Sequence, residues 1–182
     1  MLSTTKDIIL YVLPHVRGRV LDLGAGMAKY KEIIKKDTAV DYIACDVKKN
    51  ENINMVCDVS NLVFPPESFD TVISTQVFEH VKNPFVVAGE IKKVLKTGGN
   101  VIITAPFMFP FHADPKDYFR FSRDGLEEIF KSIGFEIIDS GIYGGFFMVI
   151  SEMIHFSWFN HYKQRSGRFI AIIEKIAKFF DK

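Results

Sequence analysis

The chain has 182 residues, of which 48% are hydrophobic and 25% are charged, and its formal net charge is +1. This length and balance fit one soluble globular domain, and they exclude a disordered tail, a collagen-like fibre and a small disulfide-rich scaffold. Because the net charge is close to zero, the chain as a whole lacks the positive field typical of nucleic-acid-binding proteins.

Hydrophobic periodicity predicts strands that alternate with helices along the chain. The predicted helices are 3–15, capped by Ser3 or Thr4, then 27–36, 83–95 and 122–133. The predicted strands are 19–24, 41–47, 54–59, 70–76, 101–104 and 135–138. A turn over 96–99 is expected to end the third helix, and residues 145–159 fit either a strand or a helix. This alternation predicts an α/β, doubly wound, mainly parallel sheet with helices on both faces, forming a single domain over 1–182.

The end of the chain is basic, because residues 163–182 carry a net charge of +4 and the remainder carries −3. Apolar residues over 168–182 repeat at helical spacing, which predicts a basic amphipathic C-terminal helix. The favoured interpretation is that this helix docks on its own domain or on a second copy, as in a homodimer. A peripheral contact with an anionic membrane surface is the alternative.

Two further features concern compartment and metals. The two cysteines, Cys45 and Cys57, have no metal-ligand spacing, so the sequence predicts no metal site and two small buried side chains. Charged residues precede the first apolar cluster, so the sequence does not predict a signal peptide. The most apolar stretch, 143–159, is interrupted by charge and is shorter than a membrane span of about 20 residues. We therefore expect a cytoplasmic protein.

The turn after the first strand is the first candidate ligand site. Ligands of such sheets bind at the carboxyl ends of the strands, where the strand order reverses. Gly24 and Gly26, which follow Asp22, remove side chains at this turn and let a ligand approach the backbone closely. Such a turn can also serve packing alone. Lys29 stands where a dinucleotide fingerprint has a third small residue, which disfavours NAD.

Acidic residues end the next two predicted strands. Asp46 ends the second strand and Asp58 the third. A carboxylate at the end of the second strand can accept hydrogen bonds from both ribose hydroxyls of a nucleoside. If the two strands are neighbours, both carboxylates lie at the same edge of one cleft.

These motifs, in this order and at these distances, resemble class I S-adenosylmethionine-dependent methyltransferases, including small-molecule methyltransferases, over about residues 17–138. The run Val-Leu-Asp-Leu-Gly-Ala-Gly at 20–26 is similar to the family's D-x-G-x-G motif. Segments 64–76, 77–81 and 96–103 are similar to the regions around its fourth and fifth strands. The resemblance implies a Rossmann-like, seven-stranded type of sheet and S-adenosyl-L-methionine as cofactor. It implies cofactor contacts at Asp22, Gly24, Ala25, Gly26, Asp46, Val47, Asp58, Val59 and Gln76.

The loop after the fifth predicted strand, residues 105–122, is rich in aromatic and ionisable residues, and we expect it to form the acceptor side of the site. His112 is the candidate general base. Arg120 is a candidate clamp for a carboxylate or phosphate, and Tyr118 or Asp117 would orient it. His80 is a second candidate base. The alternative is an aromatic plug, with Ser122 capping the next helix.

Part of this loop, residues 110–122, resembles a segment of methyltransferases associated with surface polysaccharide synthesis. The leading hypothesis is therefore methyl transfer from S-adenosylmethionine to an oxygen or nitrogen of a small-molecule or glycan-type acceptor. The alternative is a non-catalytic S-adenosylmethionine-binding module or partner subunit. A nucleic-acid acceptor is disfavoured, because the segment 74–79 lacks the Asn/Asp-Pro-Pro-Tyr/Phe type of motif of amino-methylating enzymes.

Overall fold

The computed structural model describes residues 4–37, 41–113, 115–162 and 179. Five strands of the described part form one sheet, in the order β3-β2-β1-β4-β5, and every neighbouring pair is parallel. The strands are β1 (Arg19–Leu23), β2 (Asp41–Asp46), β3 (Met55–Val56), β4 (Phe69–Thr75) and β5 (Leu95–Thr104). The strand order reverses between β1 and β4, so the predicted doubly wound α/β fold is confirmed, and a ligand is expected at the carboxyl ends of these strands.

The helices cover both faces of this sheet. They are α1 (Thr5–Val12), α2 (Lys31–Asp37), α3 (Pro84–Val94), α4 (Arg123–Ser132) and α5 (Phe146–Tyr162), with short 3-10 turns at Leu13–His15 and Phe78–His80. Thr4, one of the two predicted caps of α1, forms a reciprocal capping box with Asp7. The Ser122 hydroxyl caps α4 by accepting from the Gly125 amide at 3.1 Å, as predicted.

The core has two apolar layers, one on each face of the sheet. Leu21 and Leu23 of β1 pack with α3 and α4 on one face. Val20 packs with Ile9 of α1 and Ile34 of α2 on the other. Because side chains alternate along a strand, Asp22 lies on the same face as Val20. Both faces are therefore covered, as a parallel sheet requires.

The third strand is shorter than predicted, covering Met55–Val56 rather than 54–59. Three other sequence predictions differ from the structure. The second helix begins at Lys31 rather than at 27, because Ala28 has a left-handed φ of +49° that a right-handed helix does not accommodate. The predicted turn at 96–99 belongs to β5, whose pairing with β4 shifts from Leu95 opposite Phe69 to Asn100 opposite Thr71. The extra residues of β5 form an irregularity in the ladder, and α3 has already ended at Val94.

The third difference is the predicted strand 135–138, which has no regular secondary structure. Phe135 and Ile137 pack against the core without a ladder, while Ile138 is 75% exposed. The open choice for 145–159 is settled as helix α5, which satisfies its backbone hydrogen bonds within the segment and needs no sheet edge. The described sheet thus has five strands rather than the seven of the family type.

Two further expectations concern the cysteines and the end of the chain. Cys45 and Cys57 are buried, as predicted, and they form a disulfide with a Cα–Cα distance of 5.8 Å. The predicted helix at 163–182 lies outside the described residues, apart from Phe179. Among the helices that the structure describes, none combines the length and apolar character needed to cross a membrane.

Candidate functional site

The two glycines of the first turn have different environments. Gly24 and Gly26 both have left-handed φ values, +67° and +56°. A Cβ on Gly24 would overlap the Val77 side chain, whereas a Cβ on Gly26 would meet no atom within 4 Å. The amides of Gly24 and Ala25 both donate to the Cys45 carbonyl, at 2.8 and 3.1 Å. Gly24 therefore serves close packing, whereas the space where a Gly26 side chain would lie is open. The Gly26 amide donates to Asp46, and the Gly26 carbonyl accepts from the Asn50 side chain at 2.8 Å.

Asp46 is the last residue of β2, as predicted, whereas Asp58 lies two residues beyond the end of the neighbouring strand β3 rather than at its end. Asp46 accepts from the Gly26 amide at 2.8 Å and from the Lys48 amide at 2.9 Å, so it ties the glycine turn to the end of β2. Each carboxylate oxygen has a second lone pair for a ligand hydroxyl. Asp58 is exposed, and hydrogen bonds from the Ser60 hydroxyl and amide lower the pKa of its carboxyl. Both groups are acceptors at one edge of the sheet.

Asp22 lies beneath the turn rather than at its surface. Its side chain is only 3% exposed and accepts a hydrogen bond from the Tyr42 hydroxyl. Burial raises the pKa of Asp22 from 3.8 to about 6; the Tyr42 hydrogen bond opposes this shift and the charge of Asp46 adds to it. Burying an ionised carboxylate is costly, so positive charge brought close to Asp22 would stabilise its ionised form.

Gln76 joins several elements at the end of β4. It has a left-handed φ of +56°, a conformation that non-glycine residues rarely adopt outside constrained sites. Its side-chain amide donates to the Thr104 hydroxyl at 3.1 Å and to the Tyr143 hydroxyl at 2.9 Å. The Tyr143 hydroxyl is also 3.2 Å from the Thr5 hydroxyl. Sequence reasoning missed Thr5 and Tyr143, because they are distant from Gln76 in the chain and no spacing marks them.

Arg120 lies inside the acceptor-side loop. Its Nε donates to the Phe109 carbonyl at 3.0 Å, and its two terminal nitrogens donate to Asp117 at 2.5 and 2.7 Å. The Pro110 and Phe119 carbonyls, at 2.9 and 2.7 Å, accept from the same two nitrogens. These acceptors occupy all five guanidinium N–H groups. In this structure the Arg120 side chain holds the loop together, and its expected role as a clamp for an acceptor stays a prediction.

The loop brings His112 next to His80 and Glu79. The Nε2 atoms of His80 and His112 lie 3.7 and 3.9 Å from Glu79 Oε1, and the two imidazole rings meet edge-on at 4.9 Å. The Asp117 carboxylate accepts from the His112 amide at 2.8 Å. Tyr118 donates its amide to the Glu79 carbonyl at 2.7 Å and has an exposed side chain. The structure thus brings both candidate histidines next to the Glu79 carboxylate.

Glu79 was not among the sequence candidates. Its side chain is fully buried, and neither carboxylate oxygen has a hydrogen-bond partner within the described part of the chain. Burial raises the pKa of Glu79. Burial also raises the pKa of Tyr143, and the charge of Glu79 adds to that shift, which places the cluster near the Gln76 bridge. A carboxylate within the apolar run 77–81 was a usable sequence signal.

Comparisons with known proteins agree with this arrangement. Residues 21–103 match the family model described as a methyltransferase domain. Phosphoethanolamine N-methyltransferase 1 of Triticum aestivum is 33% identical over 126 residues, which cover 56% of this chain and 25% of the plant protein. An uncharacterised protein of Methanocaldococcus jannaschii is 26% identical over 136 residues, covering 67% of this chain and 66% of that protein.

A solved structure extends the likeness to the fold. Phosphoethanolamine N-methyltransferase 2 of Haemonchus contortus, in complex with S-adenosyl-L-methionine, superposes with a TM-score of 0.64 at 20% identity. The match covers 94% of this chain and 46% of that one. The chain spans about a quarter of the plant relative's length and about half of the nematode protein's. Residues 21–103 thus match a methyltransferase domain, and the chain has the class I S-adenosylmethionine-dependent methyltransferase fold.

Proposed function

We propose that this chain is an S-adenosylmethionine-dependent methyltransferase that transfers a methyl group to an oxygen or nitrogen of a small-molecule or glycan-type acceptor. The observation that carries the proposal is the bare backbone at Gly26, which faces open space within a matched methyltransferase domain and is bonded to Asp46. This arrangement lies at the switch point of the sheet, where ligands of such folds bind.

The residues present fit the cofactor. Asp46 has lone pairs for the two ribose hydroxyls, and Asp58 with Val59 lies at the neighbouring strand end for the adenine. Gly26 provides the close backbone approach, with Gly24 and Ala25 of the same turn beside it, and Gln76 and Val47 complete the proposed contacts. Asp22, buried beneath the turn, favours a ligand that carries positive charge. When bound, S-adenosylmethionine supplies an electrophilic methyl group.

The chain's part in such a transfer is alignment and proton removal, since an in-line displacement depends mainly on the geometry of the reactants. His112 faces Glu79 across 3.9 Å, so we assign proton removal from the acceptor to the cluster of Glu79, His80 and His112 rather than to a lone imidazole. Tyr118, exposed beside this cluster, is the proposed orienting residue, and Arg120 positions the loop that carries both His112 and Tyr118.

The acceptor class follows from the loop surface and from the relatives. Phe107 and Phe111 of the loop have exposed rings, which suit an acceptor with an apolar part. The plant and nematode proteins are named for phosphoethanolamine, which makes that compound the first small acceptor to test. The homodimer and the membrane contact expected for 168–182 concern residues outside the described part and carry no step here.

Calorimetric titration tests the cofactor assignment. Wild-type protein should bind S-adenosylmethionine and S-adenosylhomocysteine but not NAD. Asp46→Ala should weaken both affinities at least tenfold, because it removes the ribose acceptor and the bond to Gly26. Glu51→Ala, an exposed change in the following turn, serves as the matched control and should leave both affinities unchanged. Folded wild-type protein that binds neither sulfur compound would refute the proposal.

A transfer assay then separates the enzyme from the non-catalytic binding module. Labelled methyl transfer should be measured with phosphoethanolamine, sugar nucleotides and lipid-linked sugars as acceptors. Turnover that His112→Ala reduces, with cofactor affinity unchanged, supports the enzyme. Cofactor binding without transfer to any acceptor class favours the binding module.

A further inference from the structure

We propose that Glu79, His80 and His112 bind one divalent first-row transition-metal ion of the Zn²⁺ type on the acceptor side of the site. The carboxylate and the two imidazoles come from the turn after β4 and from the loop after β5. Two imidazoles and one carboxylate form a common ligand set for Zn²⁺ and related ions. The proposal that a metal binds here does not depend on the proposed cofactor.

The ligand atoms converge at a suitable spacing. The Nε2 atoms of His80 and His112 are 3.7 and 3.9 Å from Glu79 Oε1, and the cluster offers one ligand atom from each residue within 4.8 Å of the others. Ligands that bind Zn²⁺ at about 2.0–2.2 Å in tetrahedral geometry are separated by roughly 3.4 Å. Small side-chain adjustments therefore suffice to bring all three groups onto one ion.

The outer hydrogen bonds fix which imidazole nitrogen faces the cluster. The Nδ1 atom of His80 lies 2.5 Å from the Lys116 carbonyl, and that of His112 lies 3.1 Å from the Pro110 carbonyl. Each Nδ1 thus has a carbonyl acceptor, with an Arg120 terminal nitrogen also 3.5 Å from His112 Nδ1, and each Nε2 is the ring nitrogen that lies nearer to Glu79. Backbone carbonyls orient metal-binding histidines in the same way.

The electrostatics of the cluster call for a cation. Both Glu79 oxygens are buried and lack hydrogen-bond partners among the described residues, and the Nε2 atoms of His80 and His112 lie 3.7 and 3.9 Å from Oε1. A buried carboxylate without hydrogen-bond partners is costly unless positive charge lies beside it. The nearest other charges cancel, because Asp117 forms two hydrogen bonds with Arg120. The uncompensated charge of the group is therefore that of Glu79.

A shared proton is the competing explanation, since a neutral Glu79 could donate to one imidazole. The two explanations differ in what the cluster does with added metal. Three protein ligands leave a fourth position, and the His112 side chain is 24% exposed, so a bound ion would be accessible from the loop side. If the proposed methyl transfer holds, the bound ion would replace the free side chains of the cluster in promoting proton loss, because an acceptor hydroxyl at that position would ionise more readily.

Metal titration of the tag-free full chain, after removal of bound metal by a chelator, tests the site. We expect one equivalent of Zn²⁺ by calorimetry, and one equivalent of Co²⁺ with visible absorption bands of a low-coordinate site. Glu79→Gln and His112→Gln should each weaken Zn²⁺ binding at least 100-fold. His15→Gln changes an exposed histidine at the end of the 3-10 turn after α1; it is the matched control and should not change the affinity.

Two results would overturn the metal site: folded wild-type protein that takes up no stoichiometric Zn²⁺, or Zn²⁺ binding that neither cluster variant weakens. Circular dichroism of each variant checks folding, and His112→Gln alters a partly exposed side chain, so the test does not depend on the buried Glu79 variant alone. Titration of S-adenosylmethionine into the same preparations separates the two proposals. Cofactor binding without metal uptake refutes only the metal site, and the reverse result refutes only the cofactor assignment.

Discussion

Replacing Asp22 by Asn should stabilise the fold while weakening the ligand site. Asp22 is 3% exposed, and burial raises its pKa from 3.8 to about 6. Between pH 3.8 and about pH 6, the Asp22 carboxyl therefore holds a proton in the folded state that it has lost in the unfolded state. Stability falls as pH rises through the window, because ionisation of the folded protein places a charge in the core. Asparagine keeps an acceptor for Tyr42 but never ionises.

The expected gain follows from the shift. A displacement of about two pKa units corresponds to about 3 kcal/mol. Asp22→Asn should therefore raise the free energy of unfolding by up to about 3 kcal/mol at pH 8, by about half of that at pH 5, and by almost nothing near pH 3. For a chain of this size the gain at pH 8 corresponds to roughly 6–12 °C in Tm.

Denaturant unfolding of both proteins at pH 5 and pH 8 measures this difference. Asp70→Asn is the control of opposite sign: the Arg19 amide and Lys96 lower the pKa of Asp70, so its loss should destabilise the fold at pH 8. A stability difference between wild type and Asp22→Asn that does not change with pH would refute the reasoning. The same variant should bind S-adenosylmethionine several-fold more weakly, since it removes the negative charge beneath the turn.

Two further predictions concern the turn and the loop. Gly24→Ala should lower the free energy of unfolding by roughly 2–4 kcal/mol, because the new side chain combines a left-handed φ with overlap against Val77. Gly26→Ala should lower it by only about 1 kcal/mol but weaken cofactor binding at least tenfold. Equal stability losses of the two variants in thermal unfolding would contradict this. Arg120→Lys should lower the free energy of unfolding by roughly 1–3 kcal/mol and speed proteolysis of the loop at unchanged cofactor affinity, because lysine cannot reach all five acceptors. The exposed Arg123→Lys is the control. An unchanged cleavage rate in Arg120→Lys would contradict the role of Arg120 in holding the loop together.

The sheet was largely predictable, because its strands are short apolar runs that end in turn residues. β1, β2 and β4 begin and end within one residue of their predicted bounds. The errors arise where tertiary pairing decides. The segment 135–138 has strand composition but packs only Phe135 and Ile137 onto the core. Residues 96–99 have turn composition, yet the irregular pairing of β5 with β4 absorbs them.

The site was predictable where function resides at a strand end, and less so where it depends on the loop. Asp46 and Asp58 follow directly from the strand pattern. The role of Arg120 depends on three backbone carbonyls that accept hydrogen bonds from its guanidinium, and no residue spacing in the sequence reveals them. The burial of Glu79 likewise depends on a loop that begins well beyond it in the chain. The sequence marked the ionisable residues of that loop but not which of them pair with one another.

The segment 77–79, after β4, contacts both the glycine turn and the acceptor-side loop of the proposed site. The Val77 side chain fills the space beside Gly24, so the position of the glycine turn is coupled to that of Val77. Two residues further, the Glu79 carbonyl accepts from the amides of Tyr118 and Phe119 at 2.7 and 3.3 Å, so the acceptor loop is anchored to the same segment. In-line transfer requires the donor and the acceptor to be held at one fixed separation. A single short segment that contacts both sides provides that constraint.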